Sequence, residues 1–425
     1  MKEMKLLSFL RTVRVSKRTL LITGAGVILI GGGIVAWLMQ SKGHPVLEQY
    51  AEQVMTACAK TSYPPSCYDT EIPKLMDKGV TMEQAFQITS LIQNKTNGYF
   101  FCHVLGHNLA AKETAKDPSK WTEVIGRCPV GQCSNGCLHG AAQERFRSES
   151  LTPAQVQAEL PELSGICTDG TRNYTGLEQA SCDHSIGHLA MYLTNADIKA
   201  ATAVCDVVAK QGNKDNTITC YEGAYMQIFQ PLEPEDFALV KNIAPTTTSA
   251  VETYCDTFTG QRQAACHRES WPLYGNKLFT AKGVQAFCSL TPAPENQRRC
   301  YNSLFYILTA RFEFDLTRIT DLCTGLPQAL ESQCFANAAS RAIETDYRLA
   351  PTSVALCKVA DEHSVGEQCY QELMFYSTFN YHVGTPAFTN FCTQLPGAWK
   401  DACLAGKGTN YSPGAPVVRD DIVSK

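Results

Sequence analysis

Two histidine pairs with the same spacing are the residues of this chain best suited to chemistry. His103 and His107 belong to the stretch His-Val-Leu-Gly-His, and His184 and His188 belong to the stretch His-Ser-Ile-Gly-His. Both stretches are predicted to begin a helix, in which residues four apart lie on the same face. Each motif therefore directs two imidazoles toward one region of space, and imidazole is a common ligand of transition metals.

Two further segments add one imidazole and one carboxylate. His139, His184 and Glu222 each stand two residues after a cysteine. Equivalent positions in stacked helical repeats line one surface, so we expect these three side chains to form a row. One turn further along the helix, Gln143 is the counterpart of His188.

We predict that these side chains converge on one metal-sized space. The predicted ligands are His103, His107, His139, His184 and His188, with Glu222 at the margin. Such ligands suit Zn, Cu, Fe or Ni, in one site or two. In an enzymatic version Glu222 would be a ligand or a general base. The alternative is that the histidines cap helices or pack between repeats, and that the shared Gly-His ending reflects only duplication.

The cysteines supply the scaffold. The chain has 425 residues and 20 cysteines, with no Cys-x-x-Cys pair, which argues against thioredoxin-like chemistry and zinc-ribbon sites. An even number of well-spread cysteines indicates a disulfide framework formed in an oxidising compartment. We therefore do not count cysteines as metal ligands.

From Cys255 onward the cysteines repeat with a period of about 34 residues. The two interleaved series are Cys255, Cys288, Cys323, Cys357, Cys392 and Cys266, Cys300, Cys334, Cys369, Cys403. This period is typical of helix-turn-helix repeats. In each unit a helix ends at the first cysteine, a polar loop follows, and the second cysteine opens the next helix. A disulfide across such a loop meets the distance limits of the bond.

The spacing also predicts the disulfide pairs. The clearest pairs are Cys288–Cys300, Cys323–Cys334 and Cys357–Cys369, and the earlier pairs are Cys58–Cys67, Cys167–Cys182 and Cys205–Cys220. Four cysteines remain between residues 102 and 137. For these we predict Cys128–Cys137 across a loop and Cys102–Cys133 between neighbouring repeats, although spacing alone leaves the other pairings open.

The period and cysteine placement between Cys128 and Cys403 resemble those of disulfide-rich helical repeat proteins of the Sel1 and tetratricopeptide kind. The resemblance implies an all-α solenoid of about eight to ten helical hairpins. The Trp, Gly and Tyr signature of tetratricopeptide repeats is absent. The resemblance therefore extends to the fold class and implies no function.

An uncharged segment near the N-terminus predicts a transmembrane anchor. Residues 19–41 contain no charged side chain, and this length exceeds the roughly 20 residues that a helix needs to span a bilayer. Residues 1–18 carry six bases and one acid. The positive-inside rule then places the N-terminus in the cytoplasm and the C-terminal domain in the periplasm or outside the cell. The alternative, a cleaved signal peptide, has a shorter apolar region that ends in small residues.

These features predict an organisation in six segments. They are a cytoplasmic basic segment (1–18), a transmembrane anchor (19–41), a linker (42–57), irregular His-bearing helical repeats (58–254), regular Cys-paired helical repeats (255–403) and a flexible tail (404–425). The formal charge is −4, and the part after residue 18 has no basic run, so nucleic acid is not an expected partner.

Two hypotheses for the function stay open. In the first, the protein binds a metal ion, with a metalloenzyme as one form of this hypothesis. In the second, it is a non-enzymatic scaffold that binds a peptide, glycan or protein on a concave face.

Overall fold

The computed structural model describes residues 45–96, 99, 102–129, 132–146, 151–168, 176–211, 214–231, 234–291, 293–345, 347–377, 384 and 386–407. These residues are helical apart from loops and a two-stranded antiparallel ribbon, in which Lys210 pairs with Asp215. The predicted anchor at residues 19–41 lies outside the described residues. Within the described ranges, no helix combines the length and the apolar character needed to cross a membrane.

The helices fall into two regions. In the histidine-bearing region (residues 45–269) they are α1 (Pro45–Cys58), α2 (Pro64–Met76), α3 (Met82–Lys95), α4 (His103–Thr114), α5 (Trp121–Arg127), α6 (Gly136–Phe146), α7 (Pro153–Ile166), α8 (Gly176–Leu193), α9 (Ile198–Val208), α10 (Thr217–Phe229), α11 (Pro234–Val240), α12 (Thr248–Cys255) and α13 (Gly260–Glu269). In the regular region (residues 271–407) they are α14 (Ala281–Cys288), α15 (Pro294–Arg311), α16 (Leu316–Thr324), α17 (Gln328–Thr345), α18 (Ala350–Glu362), α19 (Gly366–Tyr376), α20 (Pro386–Cys392) and α21 (Gly397–Leu404). The strands are β1 (Lys210–Gln211) and β2 (Lys214–Asp215), and short 3₁₀ helices cover Pro118–Lys120, Gln132–Asn135, Trp271–Phe279 and Tyr347–Leu349.

The segment predicted as a linker at residues 42–57 is instead helical from residue 45 onward, as part of α1. Leu47, Ala51 and Val54 are buried at helical spacing. Apolar residues at intervals of three and four form one apolar face, which packs against the rest of the core. The spacing of these three apolar residues is the sequence signal for this helix, and the linker prediction did not include it.

Local signals set the helix starts, with two departures from expectation. Thr81 and Gln84 form a capping box at the start of α3, as the sequence predicts. The motif that begins at His184 lies inside α8, which starts earlier, at Gly176, so only the first motif begins a helix. Likewise, the second cysteine lies inside the helix rather than at its start in α13, α15 and α17. In α15 a proline in the first turn favours helix initiation before Cys300.

Every cysteine forms a disulfide, and the observed pairs confirm the predicted ones. Nine bridges join the two helices of a hairpin, with Cα atoms 5.3–5.7 Å apart. The tenth, Cys102–Cys133, links the segments that directly precede α4 and α6. Each short closed loop contributes roughly 3 kcal/mol. Ten intrachain disulfides indicate an oxidising, extracytoplasmic environment for this domain.

One helix from each hairpin takes part in a continuous series. The series is α4, α6, α8, α10, α13, α15, α17 and α19, and each helix contacts the next. We call it the helix row. The buried apolar residues form two clusters, one from Leu47 to Cys266 and one from Leu278 to Cys403. The histidine-bearing region and the regular region therefore have separate cores along one row of helices.

An arginine connects distant parts of the chain. Arg348 donates a hydrogen bond to the carbonyl oxygen of Thr96 at 2.8 Å and contacts the carbonyl of Gln93. These carbonyls lie at the C-terminal end of α3, where the helix dipole favours a cation. These hydrogen bonds therefore join residues more than 250 positions apart in the sequence.

Candidate metal centre

Five imidazoles from three consecutive helices of the row meet in one place. His103 and His107 lie on α4, His139 on α6, and His184 and His188 on α8. The ring centroid of His139 is 4.9 and 5.0 Å from the two rings of α4, and 6.4 and 5.1 Å from the two rings of α8. The five side chains predicted from the sequence are thus brought together.

Within each pair the ring nitrogens face each other. The Nε2 atoms of His103 and His107 are 3.1 Å apart, and those of His184 and His188 are 3.2 Å apart. Two nitrogens bound to one tetrahedral zinc ion at about 2.0–2.1 Å lie about 3.3 Å from each other. Ligand nitrogens of His103, His107 and His139 all lie within 4.8 Å of one another. The rings therefore have the spacing of a chelating group.

Hydrogen bonds on the outer side of the rings fix their orientation. Nδ1 of His103 donates to the carbonyl oxygen of Cys133 at 3.3 Å, and Nδ1 of His188 donates to Oε1 of Gln227 at 2.6 Å. Since these oxygens can only accept, each Nδ1 carries the proton and each Nε2 carries the lone pair. Metal-binding histidines are typically held in this way.

Burial keeps the imidazoles neutral. Desolvation lowers the pKa of His107, His139 and His184 well below the ordinary value, and the neighbouring imidazoles lower it further. Burial also lowers the pKa of His188, although the hydrogen bond to Gln227 and the nearby charge of Asp236 oppose that shift. The neutral ring is the form that binds a metal.

Glycines let the helices approach closely enough for the rings to meet. A Cβ added to Gly136 or Gly140 of α6 would overlap a backbone carbonyl of α4. A Cβ added to Gly187 of α8 would overlap a carbonyl of α10, and one on Gly223 of α10 would overlap a carbonyl of α8. These two helix pairs thus meet backbone to backbone, which only glycine allows. Each pair contains one His-x-x-Gly-His motif.

Glu222 lies elsewhere, among arginines. Its Oε1 atom accepts a hydrogen bond from Nε of Arg299 at 2.5 Å and contacts Arg268. Arg268 is 1% exposed, and burial lowers its pKa to about 9. A carboxylate that neutralises two guanidinium groups is poorly disposed to bind a metal or act as a base, and that role of Glu222 stays a prediction.

A difference in helix register explains the position of Glu222. Gly223 of α10 lies against the backbone carbonyl of His184, and Gly136 of α6 lies against that of His103. The two glycines therefore occupy equivalent places, each beside the first histidine of a His-x-x-Gly-His motif. In the alignment on cysteines, however, Gly223 corresponds to Gly140, which lies one helical turn after Gly136. The position of α10 against α8 is therefore displaced by about one turn from the position of α6 against α4. As a result, Met226 lines the space beside the histidines in place of Glu222.

A polar cavity adjoins the imidazoles. Its volume of about 20 Å³ is enough for a water molecule or an ion. Besides four of the histidines, its lining includes Gln143, Ser185, Tyr192, Gln227 and Asp236. Tyr192 donates to Asp236 and accepts from Nε2 of Gln143 at 2.9 Å. Sequence reasoning missed Tyr192, although its place one turn after His188 on α8 was a usable signal.

Comparison with protein-family models, with curated protein sequences and with solved structures finds no match to this chain. The resemblance to Sel1 and tetratricopeptide proteins stays one of period and cysteine placement. The function is therefore inferred from the residues of the site alone.

Proposed function

We propose that this protein binds a transition-metal ion through His103, His107 and His139. The observation that carries the proposal is the approach of the three rings, whose ligand nitrogens lie within 4.8 Å of one another. Nitrogen ligands favour Zn²⁺, Cu²⁺ or Fe²⁺ over Mg²⁺ and Ca²⁺, which prefer oxygen. Three histidines with a free fourth position form a common zinc site, so Zn²⁺ is our first choice.

The surroundings of the three rings support binding of a cation. Burial keeps His107 and His139 neutral, so an ion would meet no like charge from these two rings. The buried carboxylate of Asp236, which is 7% exposed, lies on the wall of the same cavity. The cavity leaves space for an exchangeable ligand such as water, and an open position of this kind distinguishes catalytic from structural metal sites. A metalloenzyme is the natural extension of the proposal.

We also propose the setting of this site. The helix row would form a curved solenoid of hairpins, held at the membrane by residues 19–41 with the metal centre on the extracytoplasmic side. Support comes from the uncharged segment, from the basic residues before it and from the ten disulfides. The contact of Arg348 with Thr96 supports the curvature.

Metal analysis of the full chain tests the proposal. The protein is purified without a polyhistidine tag from a host that forms disulfides, exposed to Zn²⁺ or Cu²⁺ at neutral pH, and dialysed. We expect bound metal in stoichiometric amount. The variant His103→Gln/His107→Gln should lose the metal that these residues share with His139, because two of three ligands are removed.

A matched control variant is His363→Gln. This histidine belongs to the regular region, where its Nδ1 atom lies 3.0 Å from Oε1 of Glu331. It should retain all bound metal. A wild-type protein that binds neither metal would contradict the proposal and would favour the scaffold alternative, with the imidazoles hydrogen-bonded to each other.

A further inference from the structure

Hydrogen bonds on the outer side hold both rings of the pair on α8. His188 donates from Nδ1 to Oε1 of Gln227, and the ring of His184 is hydrogen-bonded to the backbone of Thr219. That bond opposes the lowering of the His184 pKa by burial, as expected when the ring donates to the backbone carbonyl. With the outer nitrogen of each ring engaged as a donor, both Nε2 atoms carry lone pairs. These two acceptors nevertheless face each other at 3.2 Å.

The pair on α4 is held in the same way. The carbonyl of Cys133 accepts a hydrogen bond from Nδ1 of His103. The side chain of Gln143 is hydrogen-bonded to His107, and that bond opposes the lowering of the His107 pKa by burial. The Nε2 atoms of this pair face each other across 3.1 Å. The two lone pairs of His184 and His188 have no donor between them, and a cation is the group that would satisfy both.

We propose that His184 and His188 hold a second metal ion, so that the five imidazoles form a two-ion centre with His139 between the two pairs. This inference rests on the proposed function for the other three histidines. The charge of Asp236 acts on His188 and favours a cation there. The group whose ligand nitrogens lie within 4.8 Å of one another is His103, His107 and His139, and it includes neither ring of α8. The second ion would therefore lie at a different position from the first.

Gln227 indicates the chemistry of the remaining ligand. Its Nε2 atom is buried and has no hydrogen-bond partner among the described residues, while its Oε1 atom holds His188. The residue is 4% exposed and lines the cavity. A buried donor without an acceptor is costly. An oxygen ligand on the second ion, such as water or hydroxide, would accept from this amide.

Counting bound ions in the full chain tests the inference. The metal-free protein is titrated with Co²⁺, whose visible absorption reports tetrahedral nitrogen ligation, against a competing chelator. We expect two equivalents in the wild type and in His363→Gln. The variant His184→Gln/His188→Gln should bind one equivalent. When His103→Gln and His107→Gln are added to this double variant, the remaining Co²⁺ absorption should disappear.

A wild type that binds one equivalent, lost in His103→Gln/His107→Gln but kept in His184→Gln/His188→Gln, overturns the second ion and leaves the proposed function standing. A wild type that binds none overturns both. One equivalent lost in either double variant also overturns the second ion, because all five rings then serve one site.

A measurement on the wild type alone avoids variants that fail to fold. Electron paramagnetic resonance of the protein loaded with Cu²⁺ should show the magnetic coupling of two neighbouring ions. The spectrum of an isolated Cu²⁺ ion at saturating metal would contradict the two-ion centre.

Discussion

The histidine-bearing region and the regular region use the same disulfide-closed hairpin but different residues along the helix row. In the first, the third residue after the second cysteine is glycine in two helices of the row, at Gly140 and Gly223, and there the helices meet backbone to backbone. In the regular region this position is occupied by residues such as Asn337 and Glu372. There Nδ2 of Asn337 donates to Oδ1 of Asn302 at 2.9 Å, so side chains rather than backbones fill the space between helices.

The difference separates the role of the scaffold from that of the site. The hairpin bridges have Cα atoms 5.3–5.7 Å apart in both regions, so the disulfides do not distinguish them. What differs is the contact between neighbouring helices of the row. Glycines bring the backbones of α4 and α6, and of α8 and α10, into contact beside the histidines.

The largest expected effect comes from Glu222→Gln, which acts where the two regions meet. Its carboxylate contacts Arg268 of the histidine-bearing region and Arg299 of the regular region. Loss of this charge leaves the buried Arg268 without one of its partners. We expect a loss of about 3–5 kcal/mol in the free energy of unfolding, measured by urea denaturation.

Two comparisons make the test specific. Adding Arg268→Met to Glu222→Gln should recover part of the lost stability, because no buried cation is then left unpaired. Glu162→Gln, at an exposed position of α7, should leave the unfolding midpoint unchanged. A double variant that is less stable than the single one would show that Glu222 is not a charge partner of Arg268.

The pH dependence of stability should report a residue of the regular region. Burial raises the pKa of Glu372 to about 7, against an ordinary value of 4.5 in the unfolded chain. Between these values the unfolded chain releases the proton while the folded protein keeps it, so stability falls as pH rises from 4.5 through 7. The full loss is roughly 3 kcal/mol.

Glu372→Gln should remove this dependence. Its unfolding midpoint should match that of the wild type near pH 4.5, and it should exceed the wild type by a growing margin up to and above pH 7. Glu362→Gln, at an exposed position of α18, is the matched control and should follow the wild type. Parallel curves for the wild type and Glu372→Gln would show that this carboxyl titrates alike in the folded and unfolded chains.

A glycine substitution should test the close approach of α8 and α10. In Gly187→Ala the new Cβ meets a backbone carbonyl of α10, so we expect a loss of about 1–3 kcal/mol and weaker metal binding. Gly165→Ala is the control, since its Cβ meets nothing within 4 Å. That helical position should gain about 0.5–1 kcal/mol. Equal thermal midpoints for the two variants would contradict backbone contact.

The smallest expected effect concerns an outer hydrogen bond of the site. Gln227→Leu removes the acceptor that holds Nδ1 of His188. Loss of such an orienting partner lowers metal affinity by about 10–100-fold. A chelator competition assay should show the loss in one of two equivalents. The exposed Gln157→Leu is the control, and equal affinities for the two variants would show that Gln227 does not position the ring.

The sequence was sufficient for the scaffold and for the five histidines. A period of about 34 residues identifies the hairpins and their bridges, since a disulfide needs only the local proximity that a hairpin provides. The meeting of His103, His107, His139, His184 and His188 follows from helical spacing within a motif and stacking between repeats.

The register of neighbouring helices could not be predicted in the same way. Cysteine alignment placed Glu222 beside the histidines, whereas the contacts of Gly187 and Gly223 shift α10 by about one turn. Packing of one backbone against another sets that shift, and it leaves no periodic pattern in the sequence. Asp236 escaped prediction for a related reason, because it lies on a different helix and in no repeated motif.

Anomalous diffraction from crystals of the full chain grown with Zn²⁺ most directly tests metal binding by the histidines. We predict an anomalous peak at the zinc edge about 2.0–2.1 Å from the ring nitrogens of His103, His107 and His139. Saturated crystals without a peak at these rings, with Nε2 of His107 still hydrogen-bonded to His103, would contradict a metal centre.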